Sequence, residues 1–303
     1  MRRLPSPHAG MILVVLFWGG NYAVSKLTFT EIPPLAFTAI RFVVGSLLLW
    51  LLLVRAEPVR SVPQPLRLRL LLLGLIGNTV YQLCFITGLS RTTATNTALI
   101  LATMPTVVTV VSGLLGHERI PPKQYAALAL ATVGVVVVIA ARGFHLSPGD
   151  WTGDLLILGG VVCWSVYTIG LRHIGGELSA LGITTWGLLA GTPGLVLTGL
   201  PSLSRMDWGG VSWKGWAGLA YSTLLSLVAA YFLWSRAVQR LGASRAALYT
   251  CASPLVASLT ALLLLGERPT LAHLIGGVCI IGGVLLGQWH ADGPAAAAAA
   301  VDS

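Results

Sequence analysis

Charged side chains are scarce in this sequence of 303 residues. They make up 10% of it, while apolar residues make up 55%. An ordinary globular chain has roughly 25% charged and 45–50% apolar residues. So few charges cannot cover the surface of a water-soluble core of this size, which excludes an ordinary soluble domain. The mean hydropathy of +0.82 likewise predicts a chain whose solvent is largely lipid.

The sequence is also poor in the residue groups that bind metals or carry out catalysis. It has four cysteines, none in a Cys-x-x-Cys pair, and its six histidines are scattered. A disulfide framework or a zinc site is therefore not expected, and we predict no metal and no cofactor. The motifs G-x-S-x-G and H-E-x-x-H are absent, so we predict that the chain is not an enzyme. An intramembrane enzyme is kept only as a remote alternative.

Long apolar runs are what the sequence has in abundance. A helix that crosses the ~30 Å hydrocarbon layer needs about 20 apolar residues, and runs of this length are separated by charges, proline or glycine. We predict an all-α membrane protein with ten transmembrane helices and a flexible tail at 291–303. The predicted spans are 10–28, 34–54, 68–90, 94–116, 123–141, 153–172, 179–200, 213–237, 243–266 and 270–289.

Basic residues exceed acidic ones, and the net charge is +9. They punctuate the apolar runs and form no single patch, so we expect no nucleic-acid partner. With the N-terminus inside, twelve of the nineteen Lys and Arg residues fall in inner segments and six in outer ones. The positive-inside rule therefore predicts that both termini are cytoplasmic.

The two halves of the sequence resemble each other. Thirteen positions separate Pro105 from Glu118, and thirteen separate Pro254 from Glu267, with an offset of 149 between the two pairs. Because five helices are an odd number, the second copy must be inverted relative to the first. Inverted repeats place a substrate site near the membrane midplane and favour alternating access. The predicted repeats are 10–141 and 153–289.

A set of motifs accompanies the repeat. It comprises the Trp-Gly-Gly-Asn-Tyr segment at 18–22, Pro34 with Arg41, and the paired Pro-to-Gly-Glu endings of the fourth and ninth spans. This pattern resembles the drug/metabolite transporter (DMT) superfamily, specifically its EamA-type proteins with two five-helix repeats. Within that superfamily the chain looks most like the bacterial aromatic amino-acid exporters of the YddG type. One departure is that Trp186 stands near the place equivalent to Arg41, so the arginine is not duplicated.

The resemblance implies a multi-pass exporter of small metabolites in the bacterial inner (cytoplasmic) membrane. It also implies a central cavity formed by helices one, three, four, six, eight and nine. We expect export of amino acids, aromatic and other neutral ones, or of similar metabolites. The alternative is efflux of cationic drugs or nucleobase-like solutes, because aromatic faces also attract cations and flat rings. The expected partners are a small-molecule substrate and membrane lipid, with the chain a monomer or weak dimer.

Pro105 and Pro254 lie near the middle of the fourth and ninth spans. A proline inside a helix removes one backbone donor and frees a carbonyl one turn earlier. Membrane helices tolerate this where a neighbour or a wet cavity satisfies the carbonyl. Two helix kinks at matching depth favour a midplane cavity, the alternative being kinks that only shape packing.

Aromatic and amide side chains recur on helical faces at about the same depth. Asn78, Tyr81 and Gln82 follow the spacing i, i+3, i+4 and share a face with Phe85. Tyr231 holds the position of Gln82 in the second repeat. Such rings and amides suit a neutral or zwitterionic solute; alternatively, they are interhelical contacts or an interfacial belt. The predicted substrate-binding residues are Trp18, Asn21, Tyr22, Asn78, Tyr81, Gln82, Asn96, Trp164, Tyr167, Tyr231, Trp234, Tyr249 and Ser253.

Arg41 is the charged residue that lies within a predicted span and away from its ends. It could snorkel to the outer surface, brace neighbouring carbonyls or attract a substrate carboxylate, and we favour the first two roles. All ten acidic residues fall in links, tails or span ends. Because proton- and sodium-driven carriers often use a carboxylate within the membrane, we predict facilitated export down a gradient.

Overall fold

The structure is a computed structural model that describes residues 5–57, 62–105, 107–108, 111, 122–140, 151–174, 178–266 and 270–289. Within these ranges the regular structure is helical throughout. The helices are α1 (Pro7–Thr28), α2 (Pro34–Ala56), α3 (Gln64–Arg91), α4 (Ala94–Leu101), α5 (Pro122–Ala140), α6 (Trp151–Ile174), α7 (Ala180–Ser204), α8 (Trp213–Leu241), α9 (Ala243–Leu265) and α10 (Leu271–Trp289).

Seven of these helices, counted over the described residues, are long and apolar enough to cross a membrane: α1, α2, α3, α6, α7, α8 and α9. Helices α5 and α10 are also apolar and pack against each other. Outward-facing leucines such as Leu197 and Leu263 are 68% and 72% exposed, which suits contact with lipid. The chain is therefore a multi-pass, all-helical membrane protein. Its arrangement as ten spans in two inverted repeats stays a prediction.

Serine caps set the start of three helices. The Ser6 hydroxyl accepts a hydrogen bond from the Ala9 amide (3.2 Å), and Pro7 occupies the first turn, so α1 starts three residues before the predicted span. The Ser179 hydroxyl accepts a hydrogen bond from Gly182 N (2.9 Å) at the start of α7. Ser212 caps α8 in the same way. Each hydroxyl satisfies a backbone donor that the first helical turn leaves unpaired.

Helices α3 and α8 each contain a widened, π-helical segment. The segments are Leu75–Val80 in α3 and Ser222–Ala229 in α8. Adding the repeat offset of 149 to the first gives positions 224–229, which lie inside the second. Such segments occur often at functional sites. The same local irregularity therefore lies at matching places in the two halves.

Helices α4 and α9 are both broken. Helix α9 runs to Tyr249, passes through a 3₁₀ turn at Thr250–Ala252 and resumes as an α-helix. The chain likewise turns after Leu101 and resumes a helix at residue 104. Pro105 and Pro254 are each the second residue of a resumed segment and not part of an unbroken, kinked helix. In a first helical turn a proline's missing donor would be unpaired anyway.

The helix pairings repeat between the halves. Helix α1 packs on α8 and α9, and α6 packs on α3 and α4. Helix α2 packs on α7, as α5 does on α10. Exchanging the first five helices with the last five turns the pairings of α1 into those of α6 and leaves α2 with α7 and α5 with α10 unchanged. The two halves thus meet along interfaces of the same kind.

Small residues let α3 and α7 approach closely. A Cβ added to Gly191 would lie 2.5 Å from the Asn78 Cβ, and one added to Gly74 would lie 2.6 Å from the Gly187 carbonyl oxygen. The Gly187-xxx-Gly191 pair therefore serves packing within the chain. Glycine stripes of this kind are common where membrane helices touch.

Candidate functional site

A small internal cavity lies where the two halves meet, near the middle of α1, α6 and α8. Its walls come from α1, α2, α3, α6, α8, α9 and the α4 segment with its following turn. Side chains and backbone from both halves therefore shape it. The lining residues are Trp18, Asn21, Tyr22, Arg41, Tyr81, Gln82, Phe85, Ala98, Leu101, Ala102, Met104, Trp164, Ser226, Tyr231 and Thr250.

Aromatic rings form one continuous cluster along this cavity. The Trp164 ring centroid lies 5.5 Å from that of Trp18, 4.7 Å from Tyr81 and 5.1 Å from Tyr231. Trp234 packs behind Trp18 at 5.2 Å. Several pairs are tilted or edge-to-face, the geometry in which the positive ring edge meets a negative face. The cluster presents a preformed apolar surface to a flat or apolar group.

Hydrogen bonds tie the rings to the opposite half. Gln82 Nε2 donates to the Tyr231 hydroxyl (2.8 Å), and both residues are buried. Trp18 Nε1 donates to the carbonyl oxygen of Ser226 (3.0 Å), within the π-helical segment of α8. Asn21 Oδ1 accepts from the Ser222 hydroxyl at the start of the same segment. The irregular segment of α8 thus supplies polar partners to α1, one from its backbone and one from a side chain.

Repeat-equivalent residues touch one another at the cavity. Gln82 and Tyr231, which form the hydrogen bond above, differ by the offset of 149. The Cys251 thiol lies 3.7 Å from the carbonyl oxygen of Ala102, at the same offset. The two helix breaks therefore meet, and each contributes to the same site.

Arg41 lies fully inside the protein, at the cavity wall. It is 1% exposed, and its Cζ lies 5.1 Å from the Phe37 ring centroid. Its Nε and Nη1 atoms have no hydrogen-bond partner among the described residues. Snorkelling to the outer surface, one of the two roles favoured from the sequence, does not match this burial. The Nε and Nη1 atoms brace no carbonyl either.

Seven of the thirteen predicted binding residues line the cavity: Trp18, Asn21, Tyr22, Tyr81, Gln82, Trp164 and Tyr231. Asn96 belongs to α4, but its side chain is outside the described part. The other five lie off the lining. Trp234 and Tyr167 pack behind the rings, at 5.9 Å and 5.0 Å from Trp164. Ser253 is buried beside the proline of α9.

Asn78 and Tyr249 have structural partners instead. Asn78 Nδ2 donates to the Gly187 carbonyl oxygen (3.0 Å), which links α3 to α7. The Tyr249 hydroxyl pairs with His8 Nδ1 and connects α9 to the start of α1. The surroundings of these two residues therefore match the alternative role given above, contacts between helices, and not substrate binding.

Eight lining residues were absent from the predicted set: Arg41, Phe85, Ala98, Leu101, Ala102, Met104, Ser226 and Thr250. Phe85 shares the face of Gln82, so its position was available from helical spacing. The small and aliphatic residues of α4 carry no chemistry that separates them from packing residues. Ser226 joins the wall within a π-helical segment, which ordinary helical spacing does not anticipate.

The cavity is narrow in this conformation. Its volume is about 40 Å³, enough for roughly three water molecules and too small for an amino acid. A solute could enter only if the walls moved apart. Within the described ranges, no group of three His, Cys, Asp or Glu residues is placed to hold a metal ion.

A multi-pass helical fold around a buried, polar and aromatic cavity is typical of membrane transport proteins. The chain belongs to the EamA-like transporter family: the family model matches residues 6–140 and again 151–287. It is thus a membrane transporter of the DMT superfamily.

Individual relatives are similar over most of the chain. The "Uncharacterized transporter YetK" of Bacillus subtilis is 26% identical, covering 88% of this chain and 82% of its own. The "Probable amino-acid metabolite efflux pump" of Salmonella typhimurium is 25% identical, covering 91% and 92%. A crystal structure with 20% identity superposes with a TM-score of 0.75, covering 95% of this chain and 98% of the other. That last likeness shows a shared fold.

Proposed function

We propose that the chain exports amino acids, aromatic and other neutral ones, or similar small metabolites across the bacterial inner membrane. The observation that carries this proposal is the cavity itself, where rings and amide or hydroxyl groups from both halves meet. Rings offer apolar contact to a side chain, while amides and hydroxyls bind polar ends without holding them too tightly to release. The Salmonella relative, named as an amino-acid metabolite efflux pump, supports this choice. The proposal includes a specificity for aromatic amino acids like that of the YddG-type exporters.

Alternating access between two inverted five-helix repeats, residues 10–141 and 153–289, is the proposed mechanism. Three observations support it: the family model matches twice, the helix pairings repeat between halves, and the equivalent residues Gln82 and Tyr231 touch. The cavity is too small for an amino acid, which fits a closed conformation between outward-open and inward-open ones. We further propose that both termini are cytoplasmic and that a monomer or weak dimer suffices.

Transport is proposed to be facilitated and not driven by protons. The described acids Glu31, Glu57, Asp154 and Asp207 lie at helix ends and in links, and none lines the cavity. A carboxylate that binds and releases a proton along the pathway is the usual coupling device. The described part of the pathway has no such group.

Counterflow in proteoliposomes tests the function. Purified protein is reconstituted with unlabelled L-phenylalanine inside, and uptake of labelled amino acids, nucleobases and organic cations is followed without an imposed proton gradient. We expect amino acids to exchange, and Trp164→Ala to lower the rate at least about tenfold because it removes the ring at the centre of the cluster. Trp213→Ala, which changes a 75% exposed ring, is the matched control. Exchange of no amino acid, or equal rates in both variants, would contradict the proposal.

A further inference from the structure

Polar atoms of three cavity residues have no partner within the described protein: Arg41, Gln82 and Trp164, the last through its Nε1. Arg41 is 1% exposed, and its Nε and Nη1 atoms form no hydrogen bond. Gln82 is 2% exposed; its Nε2 is used by Tyr231, but its Oε1 accepts nothing. Burying polar groups without partners is costly, and for a charge the cost is large. Because these groups lie at a cavity, we infer that a bound ligand supplies their missing partners.

No carboxylate of the described chain neutralises Arg41. Glu31 accepts hydrogen bonds from Ser212, and Glu57 accepts one from the Ser179 hydroxyl. Asp154 and Asp207 are also bonded elsewhere, to a threonine hydroxyl and to a glycine amide. The guanidinium thus lies among aromatic and amide side chains with no described negative charge beside it. An anionic group on a solute is therefore the expected partner of the Arg41 guanidinium.

We propose that Arg41 binds the carboxylate of the transported solute and that Gln82 Oε1 accepts an N–H from its amino group. This assignment rests on the proposed function, in which the cavity is the transport site. A guanidinium can engage both oxygens of a carboxylate at once, and charge-assisted bonds of this kind are the strong ones. The Gln82 oxygen is a neutral acceptor and contributes less.

The assignment ranks solutes by their chemistry. A carboxylate is the main requirement, an amino group adds a smaller gain, and the rings of Trp18, Tyr81 and Trp164 contact the apolar side chain. Cations are repelled by the buried guanidinium in this low-dielectric setting. Efflux of cationic drugs, the alternative drawn from the aromatic faces, is therefore disfavoured by Arg41.

Competition in wild-type proteoliposomes tests this ranking without any variant. L-Phenylalanine, 3-phenylpropionate and L-phenylalaninamide keep the same ring, but the second lacks the amino group and the third lacks the carboxylate. Each competes with labelled phenylalanine for exchange. We expect the amide to need at least about a tenfold higher concentration than phenylpropionate for half-inhibition, since a charge-assisted contact is worth a factor of ten or more. Equal inhibition by the two would overturn the assignment.

Thermal unfolding of the purified protein gives a second test that needs no transport. Phenylpropionate is expected to raise the unfolding temperature of the wild type, because a ligand that binds only the folded state stabilises it. Arg41→Met should lose this shift and Arg41→Lys should keep part of it. Arg67→Met changes an exposed arginine outside the cavity and should behave like the wild type.

The two proposals fail separately. If the wild type exchanges no amino acid, the proposed function is wrong, while the thermal shift still decides the role of Arg41. A shift of equal size in Arg41→Met, or no shift in the wild type, overturns the assignment. Should Arg41→Met not fold, the wild-type competition with phenylpropionate and phenylalaninamide decides it.

Discussion

At the scale of single residues, the contact between Gln82 and Tyr231 joins the two halves inside the apolar core. A neutral hydrogen bond adds only about 0.5–1.5 kcal/mol to stability, but a buried donor left without its partner costs about 1–3 kcal/mol. Both groups are almost fully buried, so the second figure applies to changes that remove one of them. This bond therefore holds α3 and α8 in register at the cavity.

Tyr231→Phe tests that role with the ring retained. We expect the free energy of unfolding to fall by about 1–3 kcal/mol, because Gln82 Nε2 loses its acceptor. The double variant with Gln82→Leu should cost less than the sum of the two single changes, because neither partner is then left unpaired. Unfolding in detergent gives these values. Tyr125→Phe, at a 45% exposed ring of α5, serves as the control, and strictly additive costs would argue against a coupled pair.

At this scale the sequence predicts which side chains lie together where chemistry and helical spacing agree. Tyr81 and Gln82 share a helical face with Phe85 and project into the cavity together. It was less informative for Asn78, which lies on the same face at the level of the π-helical segment and turns to the Gly187 carbonyl instead. A buried amide always needs a partner, but the sequence does not tell whether that partner is a substrate or a neighbouring helix.

At the scale of the helices, close approach at glycine decides where α1 and α9 meet. Gly19 lies beside the cavity residue Trp18. A Cβ at this position would lie 2.5 Å from the Val256 Cβ and 3.0 Å from the Ser253 carbonyl oxygen. Neither neighbour is the end of a flexible side chain, so the helices themselves would have to separate.

Gly19→Ala should therefore destabilise the protein by about 1–3 kcal/mol, the usual cost of overpacking a well-packed interface. We also expect slower counterflow, because the adjacent Trp18 moves with its helix. Gly159→Ala is the matched control: its added Cβ would meet only the Cys84 sulfur, at 3.8 Å. Thermal unfolding of both variants decides the point, and equal unfolding temperatures would mean that α1 and α9 tolerate a wider separation.

The apolar runs predicted most of the helices, but they did not predict the π-helical segments or the breaks within helices. Predicted spans such as 34–54 and 213–237 correspond to Pro34–Ala56 and Trp213–Leu241. The π-helical segments and the break at Thr250–Ala252 depart from the regular helical period on which the prediction rests. Pro105 and Pro254 were predicted to kink continuous helices, but each is the second residue of a new segment that follows a break.

At the scale of the whole molecule, the distribution of positive charge predicts the orientation in the membrane. Arginines cluster at the ends of α2 and α3 that face the same link: Arg55, Arg67 and Arg69. Loops rich in Lys and Arg stay in the cytoplasm. Ten spans would then return the C-terminus to the side of the N-terminus.

Fusions with reporter proteins test this orientation. Green fluorescent protein attached to either terminus should fluoresce, and alkaline phosphatase at either terminus should be inactive. A phosphatase fusion after Arg205, in the predicted outer link between α7 and α8, should be active. Termini that report opposite sides would rule out ten spans and remove the basis for inverted repeats.

The contact between Gln82 and Tyr231 also bears on how such a chain could have arisen and on whether its halves can be expressed as separate chains. An ancestral homodimer would have placed identical side chains opposite each other here. Two copies of the present first half would likewise set one glutamine against another, and two copies of the second half would set tyrosine against tyrosine. Only a first half paired with a second half re-forms the bond between Gln82 and Tyr231, so co-expressed halves are expected to assemble with each other.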